Sequence, residues 1–321
     1  MPREIDILIA DSASTRIGRT VLKSLRSRGL VCEAIDDSEV LKDEFGYLRL
    51  LKATLKEVRP KVLMPVFKGE LIARNMSMVP GSDVRTGKAL SAMLEGIAVP
   101  VSPAGTIDQL DDKVNASALC TSLGIPQPRL YSDEEALEQP QKLFSTPGMP
   151  VVFKRSTGLG GDSVYFPKDS KALDNLIRSC GGRPHLVMDY IDGYDVSVDA
   201  IRWDGWFQAA GYRTMVPKRK GTSLVRVGVD MPELVGYARQ ILDAVDYRGA
   251  CGIDFRIDRK SGKAFFLECN PRFSGGLKSS LAAGFDMPFI LWQLCRGEMP
   301  EPVRLRHCRL SIEWEEILSR R

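Results

Sequence analysis

Histidine and clustered cysteine are both scarce in this sequence. It contains two histidines, His185 and His307, and seven cysteines that form no Cys-x-x-Cys pair. Two histidines offer few candidate ligands for a His-rich zinc site and few candidate bases for a Ser-His-Asp hydrolase, so both classes are set aside. An odd, dispersed set of cysteines is typical of reduced side chains in a cytosolic protein. We therefore expect a cytoplasmic location.

The sequence also lacks a long apolar run and a strong charge of one sign. No stretch approaches the roughly 18 apolar residues that a membrane span requires, and acidic residues stand where a signal peptide would be basic. Lys and Arg total 45 against 41 Asp and Glu, a formal charge of +4 in 321 residues. This excess is too small to imply obligate nucleic-acid binding. We expect neither a membrane nor a nucleic acid as a partner.

The length favours two domains with a small third, at roughly 150 residues per domain. In the first third of the chain, apolar runs of strand length alternate with helical patterns, and the runs lie at 5–10, 30–35, 61–66 and 97–101. This alternation predicts a parallel, doubly wound sheet over residues 1–105. The first loop, residues 10–18, lacks the G-x-G-x-x-G pattern of dinucleotide-binding proteins, which argues against a nicotinamide or flavin role.

The rest of the chain has a different character, with a predicted helix over 107–122 followed by strand-rich sequence. Strands are expected at 151–154, 163–166 and 185–191, and hairpins at 195–202 with 206–211 and at 251–257 with 264–268. Further helices are expected at 169–179 and 232–245.

The last of these hairpins carries two carboxylates in register. If Asp254 pairs with Glu268, the midpoint of the hairpin is residue 261, inside its Ser-Gly turn. The two side chains then share one face with Cβ atoms roughly 5 Å apart, and Asn270 shares that face because side chains alternate along a strand. Two like charges in this position repel, whereas a hard cation reverses the sign of the interaction. Two carboxylates and an amide oxygen suit Mg²⁺.

An alternative interpretation is an edge hairpin whose acids pair with Arg256 or Lys263. The segment that follows, residues 270–276, favours a functional site. In it, Arg272 adds an anion-binding guanidinium, and the turn after it is rich in backbone N–H donors.

A glycine-rich loop joins the strands predicted at 151–154 and 163–166. Gly158, Gly160 and Gly161 allow backbone amides to approach phosphate oxygens. Lys154, just before the loop, would hold an anion as a point charge. The loop is not a Walker loop, because no Gly-Lys-Ser/Thr ends it and a strand follows. An ordinary hairpin tip is the alternative.

Three further segments are compatible either with ligand binding or with an ordinary solvent-exposed surface. The apolar strand at 186–191 leads into acids, and it can offer main-chain groups to an adenine edge and a carboxylate to ribose hydroxyls. Lys113, taken alone, is best explained as a solvated charge on a helix. The basic run at 218–220, grouped with Arg213 and Arg226, is by default a solvated loop, with contact to a triphosphate or an acidic substrate as the alternative.

Taken in order, these segments resemble the ATP-grasp superfamily, specifically its carbamoyl-phosphate-synthase-like branch of carboxylate–amine ligases. The matching pieces are Asp112-Lys113 with Gly124-Ile125-Pro126, Val152-Phe153-Lys154 with Gly158-Leu159-Gly160-Gly161, Met188-Asp189-Tyr190-Ile191-Asp192-Gly193, Gly252-Ile253-Asp254-Phe255, and Leu267-Glu268-Cys269-Asn270-Pro271-Arg272. Each piece is weak alone, but five in the right order are specific. The resemblance covers residues 1–295.

The resemblance implies an α/β chain with the ATP-grasp fold. Its N-terminal Rossmann-like, doubly wound domain would cover residues 1–108, a small lid domain 109–190 and a C-terminal α+β domain 191–321. ATP would be clamped between the last two.

The resemblance also implies which residues bind the nucleotide. Lys113 and Lys154 would contact the phosphates of ATP, and the loop with Gly158, Gly160 and Gly161 would cover them. The adenine would be lined by Met188, Asp189, Tyr190 and Ile191, and the ribose would be reached by Asp195.

By the same likeness, Asp254, Glu268 and Asn270 would hold Mg²⁺, with Mn²⁺ as an alternative ion. Arg272 would stabilise an acyl-phosphate or its transition state, so that Lys154, Asn270 and Arg272 form the catalytic set. Relatives commonly have Glu or Gln where this chain has Asp254. The shorter side chain leaves the number of metal ions open.

The implied activity is an ATP- and Mg²⁺-dependent ligase that activates a small carboxylate, such as an amino acid, as an acyl-phosphate and joins it to an amine. The partners would then be small molecules, and a homodimer is an open alternative to a monomer. Three other functions stay open: a regulatory ATP-binding module without turnover, a bicarbonate-activating enzyme, and a nucleic-acid-binding protein that uses the basic run at 218–220.

Overall fold

The computed structural model describes residues 2–10, 15–38, 43–77, 90–138, 143–144, 151–158, 163–216 and 225–311. The helices in these ranges are α1 (Arg16–Ser27), α2 (Glu44–Glu57), α3 (Gly69–Met76), α4 (Leu90–Met93), α5 (Ala104–Asp111), α6 (Lys113–Ser122), α7 (Asp133–Glu138), α8 (Ser170–Ser179), α9 (Pro232–Ala244), α10 (Leu277–Ala282) and α11 (Met287–Cys295). The strands are β1 (Arg3–Ile9), β2 (Cys32–Ala34), β3 (Val58–Met64), β4 (Leu130–Tyr131), β5 (Val151–Arg155), β6 (Val164–Tyr165), β7 (His185–Asp189), β8 (Gly193–Trp203), β9 (Trp206–Val216), β10 (Val225–Val229), β11 (Gly249–Asp258), β12 (Ala264–Asn270) and β13 (Arg309–Ser311). None of these helices combines the length and apolarity of a membrane crossing.

The N-terminal sheet is parallel, as its alternating strand and helix pattern predicts. Its three strands lie in the order β2-β1-β3, and the apolar residues of β1 are buried in core clusters on both faces of the sheet. The strand predicted at 97–101 is reduced to a single parallel bridge between Ala98 and Val62.

A second, four-stranded sheet has the order β4-β7-β5-β6 and is antiparallel. One of its faces packs with α7 and α8 around a small core that contains Phe153 and Val187. Side chains alternate along the strands, so Lys154 and Met188 lie on the opposite face. This sheet is called the lid sheet below.

The largest sheet has six strands in the order β12-β11-β8-β9-β10-β13. One face is apolar and packs against α6 and α9, with Val196, Ile253 and Phe255 among its fully buried side chains. The other face is polar where β8, β11 and β12 lie side by side. This sheet is called the central sheet, and its polar face carries most of the residues discussed below.

Asp286 is one of the residues that connect the N-terminal segment to the far end of the chain. Asp286 caps α11 by accepting a hydrogen bond from Phe289 N at 3.4 Å. The same side chain accepts from Ser24 Oγ at 2.5 Å and pairs with Arg28 at 2.9 Å. This carboxylate therefore ties α1 to the start of α11.

Gly193 begins β8 where the chain leaves the lid sheet, and we expect Gly193→Ala to destabilise the fold. A Cβ at this position would overlap the backbone carbonyl of Ile257 on the neighbouring strand, which cannot move without breaking the pairing of β8 with β11. We expect a loss of about 1–3 kcal/mol, the usual range for overpacking, measured by urea unfolding.

The matched control is Gly236→Ala in α9, where a Cβ would meet no atom within 4 Å. Because alanine is the better helix former, this variant should be neutral or more stable by up to about 1 kcal/mol. Equal stability of the two variants would contradict the steric explanation at Gly193.

Candidate active site

The two acids of the last hairpin face each other across β11 and β12, which confirms the predicted register. Asp254 is paired with Glu268, and Gly252 is paired with Asn270. A bulge between Asp254 and Phe255 shifts the register for the remainder of the hairpin. Glu268, Asp254 and Asn270 therefore share the polar face of the central sheet.

This pair of acids is electrostatically unfavourable as it stands. Burial and the facing Glu268 carboxylate raise the pKa of Asp254 to about 7, although the hydrogen bond from Ser197 opposes the shift. That bond runs from Ser197 Oγ to Asp254 Oδ1 at 2.5 Å. A cation between the two carboxylates would remove the repulsion, so the donor set suits a divalent ion.

The predicted alternative, in which Arg256 neutralises the hairpin acids, is wrong. Arg256 pairs with Asp195 on β8 at 2.6 Å. Lys263 lies over the ring of Phe265, with its Nζ 5.6 Å from the ring centroid. Because both cations have other partners, neither offsets the charge of the acid pair.

Arg272 connects the acid hairpin to helix α5. Its Nη2 donates to Asn270 Oδ1 at 2.7 Å, and its Nη1 donates to Asp111 Oδ1 at 2.9 Å. Asn270 in turn donates to Glu268 Oε1 at 3.5 Å. The guanidinium is therefore fixed beside the acids by two charge-assisted hydrogen bonds.

Two buried lysines lie near the acid pair. Lys113 is 6% exposed, and its Nζ lies 3.8 Å from Glu268 Oε2 and donates to Gly158 O at 3.3 Å. Lys154 is 5% exposed and donates to Leu267 O at 3.1 Å. Burial lowers the pKa of Lys154, while Glu268 acts in the opposite direction. The interpretation of an isolated Lys113 as a solvated charge is wrong.

The inward position of Lys113 follows from a break in the predicted helix over 107–122. Asp112 has extended backbone angles, φ −74° and ψ 117°, so α5 ends before it and α6 begins after it. Its carboxylate caps α6 by accepting from Val114 N at 2.9 Å and Asn115 N at 3.0 Å, and it also bonds Ser156 Oγ. An Asp ahead of a helical run is a recognised N-cap signal, although the run itself continues through it.

The glycine-rich loop is described only at its ends. Gly158 has φ +141°, and a Cβ there would lie 2.6 Å from Ser163 Cβ. Glycine is therefore required at this position on both conformational and steric grounds. Gly160 and Gly161 lie outside the described residues, as does the basic run at 218–220.

The residues expected at the adenine are divided between two faces of the lid sheet. Met188 is 4% exposed and lies beside Val152 on the face that also carries Lys154. Asp189 points to the other face, where its Oδ1 accepts from Tyr131 OH at 2.6 Å. The structure therefore brings Met188 towards the lysines but turns the Asp189 carboxylate away from them.

Arg256 anchors the segment that connects the lid sheet to the central sheet. It donates to Ile191 O at 2.5 Å, to Tyr190 OH at 2.9 Å and to Asp195 Oδ1 at 2.6 Å. It thus joins three of the residues expected to bind the nucleoside. Sequence reasoning missed this role because Arg256 was considered only as a partner for its own hairpin.

Two further residues of the site, Asp111 and Ser197, were not predicted from the sequence. The signal for each is its position in its secondary-structure element. Ser197 lies on β8, directly opposite Asp254 on β11. Asp111 is the last residue of α5, before the break at Asp112. Among the described residues, no three His, Cys, Asp or Glu side chains form a metal cage. The candidate ion site is thus a sparse one, of two carboxylates and one amide.

Comparison with known proteins shows which family and which relatives this chain resembles. The family described as "ATP-grasp in the biosynthetic pathway with Ter operon" matches residues 182–317. The carbamoyl phosphate synthase large chain of Thermomicrobium roseum is 29% identical over 59% of this chain and 19% of its own length. That of Methanothrix thermoacetophila is 25% identical over 96% of this chain and 31% of its own length. The chain thus spans less than a third of either relative.

Solved structures agree on the fold. Biotin carboxylase from Campylobacter jejuni, in a β,γ-ATP complex, superposes with a TM-score of 0.67 at 18% identity, over 92% of this chain and 72% of its own. The biotin carboxylase domain of Hydrogenobacter thermophilus 2-oxoglutarate carboxylase, with MgADP and bicarbonate, gives 0.65 at 17%, over 95% and 71%. An L-amino acid ligase from Bacillus licheniformis gives 0.63 at 15%, over 94% and 78%.

The motifs in sequence order, the lid and central sheets with acids and lysines converging between them, and these likenesses lead to one assignment. This chain has the ATP-grasp fold; its C-terminal part matches an ATP-grasp family, and over most of its length it is similar to the carbamoyl phosphate synthase large chain.

Proposed function

We propose that this chain is an ADP-forming ligase that joins a small carboxylic acid to an amine at the expense of ATP. The observation that carries the proposal is the convergence of a repelling acid pair, Asp254 and Glu268, with Arg272 and the two buried lysines. Lys154 reaches from the lid sheet to the backbone of β12, Lys113 approaches Glu268 from α6, and Arg272 follows β12. A structural role alone would not account for two buried lysines beside a facing pair of partly buried acids.

The donor set fits Mg²⁺ bound together with nucleotide phosphates. Asp254, Glu268 and Asn270 supply three oxygen ligands, and a hard cation usually takes its remaining ligands from phosphates and water. When bound, such an ion neutralises charge on the phosphates of ATP. The raised pKa of Asp254, caused first by burial and then by the facing Glu268 carboxylate, supports this assignment.

The cations of the site are assigned to the phosphates and to the activated acid. Lys154 and Lys113 would bind the phosphates from the lid side, under the loop that begins at Gly158. Arg272 would bind the oxygens of the acyl-phosphate. It is well placed for this because Asn270 and Asp111 hold its orientation on either side, so little reorganisation is needed during reaction.

We assign the nucleoside to the segment that connects the two sheets. Met188 would contact the adenine, together with the main chain of Tyr190 and Ile191. Asp195 is 41% exposed and would reach the ribose, with Arg256 at 2.6 Å holding the carboxylate in place. The Asp189 side chain faces Tyr131, so we assign only its main chain to the nucleotide.

The proposed chemistry solves a specific problem. A carboxylate does not condense with an amine in water, because it is a poor electrophile and its oxide is a poor leaving group. Attack of a carboxylate oxygen on the γ-phosphorus releases ADP and forms the acyl-phosphate. Attack of the amine nitrogen on the carbonyl carbon then expels phosphate and releases a proton. Positioning and charge stabilisation supply most of the catalysis in such phosphoryl transfers.

The experiment that tests the proposal measures ADP and phosphate release by the purified chain with Mg²⁺ and ATP. Pools of amino acids, other small carboxylates, amines and bicarbonate are added separately and in pairs. We expect release that requires one acid and one amine, with a new amide detected by mass spectrometry. Release with bicarbonate alone would instead identify a carboxylase-type activity. ATP binding without release in any pool would favour the regulatory module.

A further inference from the structure

A second cluster of buried charges lies on the polar face of the central sheet, next to the acid pair. Asp199 is 1% exposed and Arg226 is 4% exposed. Asp199 belongs to β8, two residues beyond Ser197, and in the sheet it lies opposite Gly252, which is itself opposite Asn270. With strands about 4.8 Å apart, Asp199 is thus only ~10 Å from Asn270.

The charges of this cluster are incompletely paired. Arg226 Nη1 lies 3.8 Å from Asp199 Oδ2, which is beyond hydrogen-bond distance. Ser280 Oγ donates to that same oxygen at 2.7 Å. Within the described part of the chain, three buried atoms of the cluster have no hydrogen-bond partner: Asp199 Oδ1, Arg226 Nη1 and Ser279 Oγ. Buried polar groups without partners are rare, because each one costs free energy.

Two glycines leave room for these charged groups. Arg226 lies directly on Gly276, where any Cβ would overlap its guanidinium. A Cβ at Gly252 would lie 3.0 Å from Ser274 Cβ and 3.9 Å from Asp199 Oδ1. Gly276 has φ −93°, a conformation open to any residue. Glycine is therefore needed here to leave space for the Arg226 guanidinium, and the backbone conformation alone does not require it.

A separated, buried pair of opposite charges is a poor stabilising device. Replacing such a pair by apolar side chains is often neutral or stabilising, so its presence calls for another explanation. One molecule that carries both charges would satisfy both groups at once. Its carboxylate would accept from Arg226, and its ammonium group would donate to Asp199. A simple amine or a simple acid would leave one of the two buried charges unsatisfied.

We propose that Arg226 and Asp199 form a subsite that binds an α-amino acid as its zwitterion, as one of the two substrates. The inference rests on the proposed ligase function and adds the chemical class of a substrate. Ser279 would supply a further hydrogen bond to the bound carboxylate.

The test is calorimetric binding to the full chain saturated with Mg²⁺ and a non-hydrolysable ATP analogue. The probes are the natural L-amino acids and, for each one that binds, the corresponding amine without the carboxylate and acid without the amine. We expect the amino acid to bind about 10- to 100-fold more tightly than either truncated probe, the range for one lost charged hydrogen bond. Equal binding of a truncated probe would overturn the subsite.

Three variants assign the binding to these residues. Arg226→Gln removes the charge, and Gly276→Ala displaces the guanidinium without altering it. Each should weaken amino-acid binding about 10-fold or more, with affinity for the ATP analogue within about twofold of the wild type. Arg202→Gln is the matched control, since Arg202 lies on the same sheet but pairs with Asp243 and Asp246 outside the cluster. Unchanged amino-acid binding in both Arg226→Gln and Gly276→Ala would overturn the inference.

The two proposals fail in different ways. If amino acids bind but no ADP is released with any partner, the subsite stands and the ligase function fails. If ADP is released with other acids and amines while no amino acid binds, the function stands and the subsite fails. A further assay uses hydroxylamine as the amine substrate. It determines whether a bound amino acid serves as the carboxylate substrate or as the amine substrate. A hydroxamate of that amino acid shows that its own carboxylate is activated, and hydroxamate formation only with a second acid shows that it is the amine substrate.

Discussion

Replacing Glu268 by Gln is expected to reduce ADP release by about 10²–10³-fold, comparable to the loss of one preorganised electrostatic group in other enzymes. The change keeps the size of the side chain and an oxygen that accepts from Asn270 Nδ2. It removes the negative charge that faces Asp254 and lies near Lys113. The measurement is kcat for ADP release with the substrates identified in the pools.

The same variant should fold as well as the wild type, because it removes a repulsion with Asp254. Its melting temperature without nucleotide should be equal or slightly higher, and a higher Mg²⁺ concentration should be needed to reach half-maximal activity. Glu233→Gln is the matched control, since Glu233 lies on α9 and only accepts a hydrogen bond from Tyr237 at 2.8 Å. Full activity of Glu268→Gln at ordinary Mg²⁺ concentrations would remove the acid pair from the site.

The sequence predicted the acid hairpin well because the hairpin is local. Asp254 and Glu268 are joined by one short turn, so counting from the turn to each strand gives their register. The alternation of strands and helices in the N-terminal domain is equally local, and it correctly predicted the parallel sheet. In both cases the pattern and the packing depend on residues close together in the chain.

The parts that sequence reasoning missed depend on contacts between distant segments. Lys154 donates to Leu267, 113 positions away, and no spacing within either segment reports that contact. The break at Asp112 was missed because apolar periodicity continues through it, whereas the Asp112 carboxylate that caps α6 also accepts a hydrogen bond from the distant Ser156, just beyond β5. Arg226 was grouped with a solvated basic run, although its side chain is buried against Gly276.

The second large effect is expected for Lys154→Met, which should lower kcat by about 10²–10³-fold without loss of stability. Lys154 holds its ammonium group in the cleft at the cost of burial, which is why its pKa is lowered. Methionine fills a similar volume without a charge. The variant should therefore melt at the same temperature as the wild type or a few degrees higher, while it loses the cation that we assign to the phosphates.

A lower kcat together with an unchanged or higher melting temperature would distinguish a catalytic role of Lys154 from a structural one. If Lys154 served mainly to join the lid sheet to Leu267, its loss would lower stability and activity together. The companion variant is Lys113→Met, which removes the other buried lysine near Glu268. Lys113 also donates to Gly158 O and approaches Glu268, so its loss should lower activity in the same way. A double variant no less active than either single variant would indicate that the two lysines act on the phosphates as one unit.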